Sequence, residues 1–352
     1  MGSRAASQQL QGASRQGCWR VCTWQQQVRQ LRNDGYQHFG SGGGGGGGGQ
    51  RGYAVMYSAA ARRRAAVWVA VVGSGGVVVW VSSRQEIPYT KRMHAILVSP
   101  QSEAEMGQQT FQQVLAEARR NGTLLPPSHR AVQSVRRVGT RIAQAASDGF
   151  GGGFQGHMEG LEWEFAVVDS PQVNAFVVPG GKVVVFTGLL RMVANEDELA
   201  AVLAHEGAHV VARHAAERIT QMGAVEVARM MAYWLFGLPI PSGPLSAIFF
   251  LPNSRKAETE ADLIGLQIMS RACYNPTAMI TMFEKMGHAE TREGGDRTFK
   301  FLRTHPHSSD RIKAIQAMLP TAEGLYEMSG CDTARGTLAS HFRQNVLRGT
   351  DW

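Results

Sequence analysis

Apolar positions along the middle of this chain recur with two periods, and the period separates helix from strand. In Ser128–Ala146, Val132, Val135, Val138 and Ile142 fall three or four apart, the spacing of one helical face. Asn195–Ile219 repeats the pattern with Leu199, Val202, Leu203 and Val210, with Asn195 as its cap and Glu198 at the third helical position. Ser102–Asn121 reads as another helix, with Ser102 to cap it, Glu103 and Glu105 in its first turn and Gly122 past its end. Ser254–Gly265 is helix-compatible, with Ala257, Ala261, Leu263 and Ile264 apolar. Glu162–Asp169 alternates like a strand, and Asn174–Leu190 reads as two short strands around the turn Pro179-Gly180-Gly181. Together these predict a mostly helical α+β domain with a small antiparallel sheet beside the helix Asn195–Ile219.

Two stretches break the periodic pattern. Ala65–Ser82 is 18 residues without charge, with Trp68 and Trp80 near its ends and Arg62-Arg63-Arg64 before it. At ~1.5 Å per residue it reaches about 27 Å, the thickness of a bilayer's hydrocarbon core. We read it as one transmembrane helix, with a β-hairpin, a buried helix or peripheral attachment as alternatives. The arginine flank keeps the N-terminal side in the matrix-like compartment and sends the body across. Met230–Leu251 is also uncharged, but Pro239, Pro241 and Pro244 argue against a continuous membrane helix. It reads as buried core or as a hydrophobic flap beside a site.

Charge changes the picture next. The 352 residues carry a formal +8, but residues 1–85 hold ten arginines and one acid, Asp34. That segment is +9 and the remainder −1. The basicity therefore belongs to a leader, and a nucleic-acid partner is excluded as the reading. Residues 1–60 are Arg-, Gln- and Ser-rich, include the run Gly42–Gly49, and fit an organelle transit peptide. The domain plan is a leader over 1–60, a span with its basic flank over 61–85, a globular body over 86–320 and a tail over 321–352, in which Thr337–Leu347 reads as helical. Four cysteines make no framework. Cys273 and Cys331 read as two ordinary thiols, with one disulfide in an oxidising compartment as the alternative.

The chemistry sits at His205-Glu206-Gly207-Ala208-His209. Histidines four apart on a helix share a face, about 5–6 Å apart at Cβ, so both can reach one zinc ion. Glu206 stands beside the metal and can polarise a water. A catalytic zinc needs a third protein ligand and an open fourth position. Glu258 and Asp262, four apart, can supply one carboxylate for the metal and one to hold a ligand histidine. Glu260 points off that face and reads as a solvated charge. At 100° per residue His214 faces away from His209 by about 140° and reads as a packing or surface residue. Asn121-Gly122-Thr123 is a glycosylation sequon by pattern only, and His288, His307 and His341 have no partner pattern.

These motifs are similar to those of the zinc metallopeptidases that include HtpX, BepA and the CAAX prenyl proteases. The segments Ile87–Arg92, Val98–Gly107, Asn174–Leu190, Glu196–His214, Ser254–Leu266 and Thr304–Ile312 resemble the Oma-type mitochondrial inner-membrane branch. The resemblance covers roughly residues 86–320. It implies a gluzincin-type fold, one Zn²⁺ per chain on His205, His209 and Glu258, Glu206 as general base, and Asp262 behind a ligand. It implies that Asn174, Ala175 and Phe176 lie on an edge strand that pairs with extended substrate. It places His305 near the metal or the oxyanion, and Arg311 either near a site carboxylate or at the surface as a helix-capping charge. The expectation is an endopeptidase that cuts membrane proteins, attached to the mitochondrial inner membrane and facing the intermembrane space, with homo-oligomerisation left open. The rivals are a chloroplast-membrane protease and a membrane-tethered zinc-binding chaperone that does not cut.

Overall fold

The computed structural model describes residues 59–148, 156–236, 242–292, 301, 305 and 309–331. The predicted leader before residue 59, Pro239, Pro241, His307, His341 and the helix read in Thr337–Leu347 lie outside the described residues. The chain divides into two units, Met1–Ala65 and Ala66–Trp352, and of the first only the start of helix α1 is described.

Helix α1, Ala59–Ser82, is continuous through its glycines. Val67, Trp68, Val71, Val77, Val78, Trp80 and Val81 are all exposed along it. Among the described residues, no helix is long and apolar enough to cross a membrane. Strands β1 (Arg84–Glu86) and β2 (Met93–Ala95) then form an antiparallel pair. After them come α2 (Pro100–Arg120), α3 (Arg130–Ser147), β3 (Glu164–Val168), β4 (Ala175–Val178), β5 (Lys182–Phe186) and the short α4 (Thr187–Met192). The second half is helical: α5 (Glu196–Val211), α6 (His214–Phe236), α7 (Ser242–Arg271), α8 (Thr277–Arg292) and α9 (Ser309–Met328).

The three-stranded sheet explains the strand patterns. Val183 and Val185 of β5 and Val167 of β3 join the main core with α3, α5, α7 and α8. Val184, Ala166 and Val168 face the other way, onto Phe111, Leu115 and Ala118 of α2. The sheet is thus covered on both faces, and its alternation sorts residues between two apolar layers. Helix α5 lies in the middle of the main core, with Leu199–Ala204 and Ala208 all buried. Helix α7 crosses it closely at Gly265, where an added Cβ would stand 3.0 Å from backbone atoms of Ala204 and His205. A Cβ there would press on the neighbouring backbone, so glycine suits the approach that brings the carboxylates of α7 to the histidines of α5.

The structure bears out the α+β class and adjusts its details. The sheet order is β3-β5-β4, and it is mixed: β4 and β5 pair antiparallel, but β3 and β5 pair parallel. The expected hairpin turn is present, with Gly180 at φ 83° and Gly181 at φ 73°. Helix α2 is capped by Ser99, not Ser102: Ser99 accepts the Ser102 N–H at 3.1 Å, and Pro100 opens the helix where no amide bond is lost. Asn195 caps α5 as expected, accepting the Glu198 N–H at 2.8 Å. The single helix expected over Asn195–Ile219 is two, because α5 stops at Val211 and Arg213 turns left-handed at φ 53°. Cys273 and Cys331 are joined in a disulfide, correcting the reading as free thiols. It ties the end of α9 to the turn after α7. Helix α9 also runs through Pro320 to Met328.

Candidate active site

Because α5 is a regular helix, His205 and His209 project from one face, and their Nε2 atoms stand 3.3 Å apart. Glu258 comes from α7, with Oε2 3.4 Å from His205 Nε2 and Oε1 3.7 Å from His209 Nε2. Tetrahedral bonds of about 2.0–2.1 Å place neighbouring donors roughly 3.3–3.4 Å apart. The triangle therefore fits one zinc-sized cation. His305 adds a fourth donor: its Nδ1 is 3.3 Å from His205 Nε2 and 2.9 Å from Glu258 Oε2. All four donors lie within 4.8 Å of one another.

Each ligand is held from behind. His205 Nδ1 meets Asp262 Oδ1 at 2.9 Å, and Asp262 takes a two-pronged bond from Arg311, at 2.6 Å from Nε and 2.8 Å from Nη2. This settles Arg311 as a buried partner of a site carboxylate. Its Nη1 also donates to the His305 carbonyl at 3.4 Å. Glu206, the residue after His205, accepts the Val177 N–H at Oε2, 3.0 Å away, and its Oε1 is 3.3 Å from His305 Nε2.

The comparisons with known proteins agree with this geometry. The model of "Peptidase family M48" matches residues 133–319, more than half of the chain. The chain belongs to peptidase family M48. It is 40% identical over 263 residues to the "Mitochondrial metalloendopeptidase OMA1" of Schizosaccharomyces pombe, covering 73% of each chain. The protein of that name in Arabidopsis thaliana is 32% identical over 314 residues, 70% of this chain and 63% of the relative. The "Beta-barrel assembly-enhancing protease" of Escherichia coli is 32% identical over 162 residues, 43% of this chain and 33% of that protein. As an M48 peptidase the chain is a metalloendopeptidase.

In this M48 peptidase the two histidines of the candidate metal site are shifted in opposite directions. Burial opposes charging of His205, but Asp262 and Glu258 outweigh it and raise it to about 9. Burial and the facing imidazoles of His205 and His214 hold His209 well below its ordinary value. Burial also raises Glu206, against the pull of His305 and His205. Glu258 and Asp262 are both lowered despite burial, Glu258 by His205 and His305 and Asp262 by Arg311 and His205.

The metal cluster opens into a cleft of about 410 Å³, lined among others by Asn174, Phe176, Val177, Arg218 and Gln221. Strand β4 is an edge strand of the sheet. The Phe186 N–H donates to the Asn174 carbonyl, so alternate residues of β4 face β5. The backbone of Ala175 and Val177 therefore faces outward. Ala175 is fully buried in the core and does not line the cleft, whereas Asn174, Phe176 and Val177 do. Asn174 Oδ1 is buried without a hydrogen-bond partner among the described residues.

Two residues set aside in the sequence belong to this site. His214 is buried, and its Nδ1 is 2.8 Å from His209 Nδ1. The 140° argument failed because it assumed an unbroken helix, whereas the turn at Arg213 swings His214 back. Glu260 is not solvated but 5% exposed, receiving His214 Nε2 at 3.1 Å and Arg92 Nε at 3.0 Å. No local signal marks Arg92, which stands 168 residues away in sequence. Of Met230–Leu251, residues 230–236 end α6, where Met230, Tyr233 and Trp234 are exposed, and residues 242–251 open α7.

Proposed function

We propose that the chain is a zinc-dependent endopeptidase attached to the mitochondrial inner membrane, with protein substrates that include membrane proteins. One observation carries the reading: a zinc-sized triangle of His205, His209 and Glu258 stands beside a carboxylate held by the free edge of a sheet. A structural zinc site has no use for Glu206 and closes on four ligands, commonly cysteines. That favours catalysis over a tethered chaperone.

Bound zinc supplies Lewis acidity, lowering a water's pKa from ~16 toward ~7 and polarising the scissile carbonyl. Glu206 takes the water's proton and returns it to the leaving amine, and its burial makes it a stronger base than an exposed glutamate. The Val177 N–H is taken by Glu206, and the Val177 carbonyl, on the same outward edge of β4, pairs with extended substrate, which selects for unfolded or strand-like segments without demanding particular side chains. Asn174 and Phe176 line the cleft beside it. His305 stands beside the three donors with its Nε2 3.3 Å from Glu206, where it would help hold the carboxylate or the developing oxyanion.

The mitochondrial assignment rests on the relatives' printed names, the Arabidopsis one included, and these weigh against a chloroplast. The Cys273–Cys331 disulfide fits an oxidising compartment and so favours the intermembrane-space side. Membrane attachment rests on α1, whose 24 residues extend about 36 Å and whose described valines and tryptophans are exposed.

The deciding experiment assays casein and membrane-protein cleavage by the full chain and by Glu206→Gln. Zinc retained with cleavage lost by at least ~100-fold is the expected result. Undiminished cleavage rejects the mechanism. Residues 1–85 fused to a fluorescent reporter test the address, and a plastid signal rejects the mitochondrial assignment.

A further inference from the structure

We infer that Arg92 and Thr90, in the segment that follows α1, are positioning residues for the metal ligand His209, acting through Glu260 and His214. The inference rests on the zinc reading above and adds residues to it. The contacts form one chain of hydrogen bonds. His209 turns Nε2 toward the metal triangle, which leaves Nδ1–H free to donate, and Nδ1 stands 2.8 Å from His214 Nδ1. His214 then carries its proton on Nε2 and donates it to Glu260 Oε2 at 3.1 Å. Glu260 Oε2 also receives Arg92 Nε at 3.0 Å and Nη2 at 2.8 Å, while Thr90 Oγ1 donates to Oε1.

Every tautomer in this chain is determined by the one before it. A metal on His209 Nε2 requires the Nδ1–H form, that form requires an acceptor at His214 Nδ1, and His214 then requires an acceptor at its other nitrogen. Glu260 is that acceptor, and Arg92 keeps it in place. A ligand histidine whose second nitrogen is so engaged is more basic toward the metal and has one ring orientation. Arg92 is anchored in turn. Its Nη1 and Nη2 donate to Glu217 on α6 at 2.8 and 2.6 Å, and Glu217 also meets His94 Nδ1 on β2 at 3.1 Å. The β1–β2 segment begins two residues after α1 ends, at Arg84. Displacement of this segment at its α1 end therefore reaches a zinc ligand through three side chains, with no movement of α5 required.

The test is zinc affinity of the full chain, measured by competition against a colorimetric chelator, with thermal melting alongside. His214→Leu removes the acceptor, and zinc affinity should fall by ~10–100-fold. His214→Asn keeps an oxygen near the Nδ1 position and should recover most of that loss. Arg92→Gln, at a half-buried residue and read only in a variant whose melting shows it folded, should cost roughly 3–10-fold, a smaller share because it acts through two intermediaries. Arg137→Gln is the control: it breaks the Arg137–Glu196 pair between α3 and the start of α5, away from this chain of bonds, and should lower the melting temperature without moving zinc affinity. Arg92→Gln with wild-type zinc affinity overturns the inference, as does a folded His214→Leu with wild-type affinity. Zinc loss in Arg137→Gln equal to that in Arg92→Gln overturns it too, since the effect is then general loosening. A wild-type chain that binds no zinc rejects the zinc reading itself, a distinct outcome from these.

Discussion

His205 and His209 leave the same helix four residues apart and face the same metal position, yet they are held in different ways. Behind His205 stands an enclosed pair, Asp262 and Arg311, both buried and both from the helical half of the domain. Behind His209 stands a second imidazole, then a carboxylate, then an arginine from the N-terminal β1–β2 segment that is 31% exposed at its side chain. One ligand is braced directly by charge in the interior. The other is braced at a distance, by parts that reach the surface. A site so built has a rigid side and an adjustable side.

The contrast can be broken in four ways. The largest effect belongs to Asp262→Ala, which takes from the buried Arg311 its two short bonds, leaving Glu258 at 3.5 Å, and should cost about 3 kcal/mol of stability in urea unfolding. Glu260→Ala leaves Arg92 with Glu217 and partial access to water, so it should cost clearly less. Equal losses would dissolve the distinction between the two sides. Next comes zinc affinity: Asp262→Asn acts directly on His205 and should weaken it by ~10–100-fold, whereas Glu260→Gln should stay below ~10-fold.

The third effect is acid stability on the adjustable side. Burial alone would raise Glu217, but the hydrogen bonds of Arg92 and His94 bring it from 4.5 to about 2. A carboxylate lowered on folding contributes stability that is present above pH 4.5 and lost as pH falls toward 2. Glu217→Gln should therefore flatten the stability curve across that window and leave its shape above pH 5 unchanged, read from urea midpoints. A variant as steep as wild type there removes Glu217 from the account. The smallest effect is Asn195→Ala, which removes the cap of the helix that carries both ligands. It should cost about 1 kcal/mol and shift zinc affinity for neither ligand in particular.

The rigid side was legible in the sequence and the adjustable side was not, and the reason is the range of the contacts. His205, Glu206 and His209 are related by the helical period alone, and so are Glu258 and Asp262. Asn195 and Glu198 announce where the helix begins, and Pro179-Gly180-Gly181 announces the turn before β5. Period and cap are local, so a reader needs no tertiary knowledge to find them. Arg311 could be placed beside a site carboxylate or on the surface, and only the packing of α9 against α7 decided between them. His214 and Glu260 were misread for opposite reasons. His214 was projected along a helix that ends at Val211, and Glu260 was judged by the solvent exposure of a free helix, not by the segment that covers it.

The sequence by itself determined which residues could share a helical face, and through them the candidate metal donors, the carboxylate beside them and the class of the fold. Those properties follow from a periodicity of three or four residues, which backbone geometry enforces wherever the helix forms. The tertiary structure decided what stands behind each donor: Asp262 with Arg311 for one histidine, His214, Glu260 and Arg92 for the other. It also decided the parallel pairing of β3 with β5 and the joining of Cys273 to Cys331, 58 residues apart. Such contacts depend on how helices cross and where one of them breaks, and Gly265 and Arg213 show how single backbone positions set both.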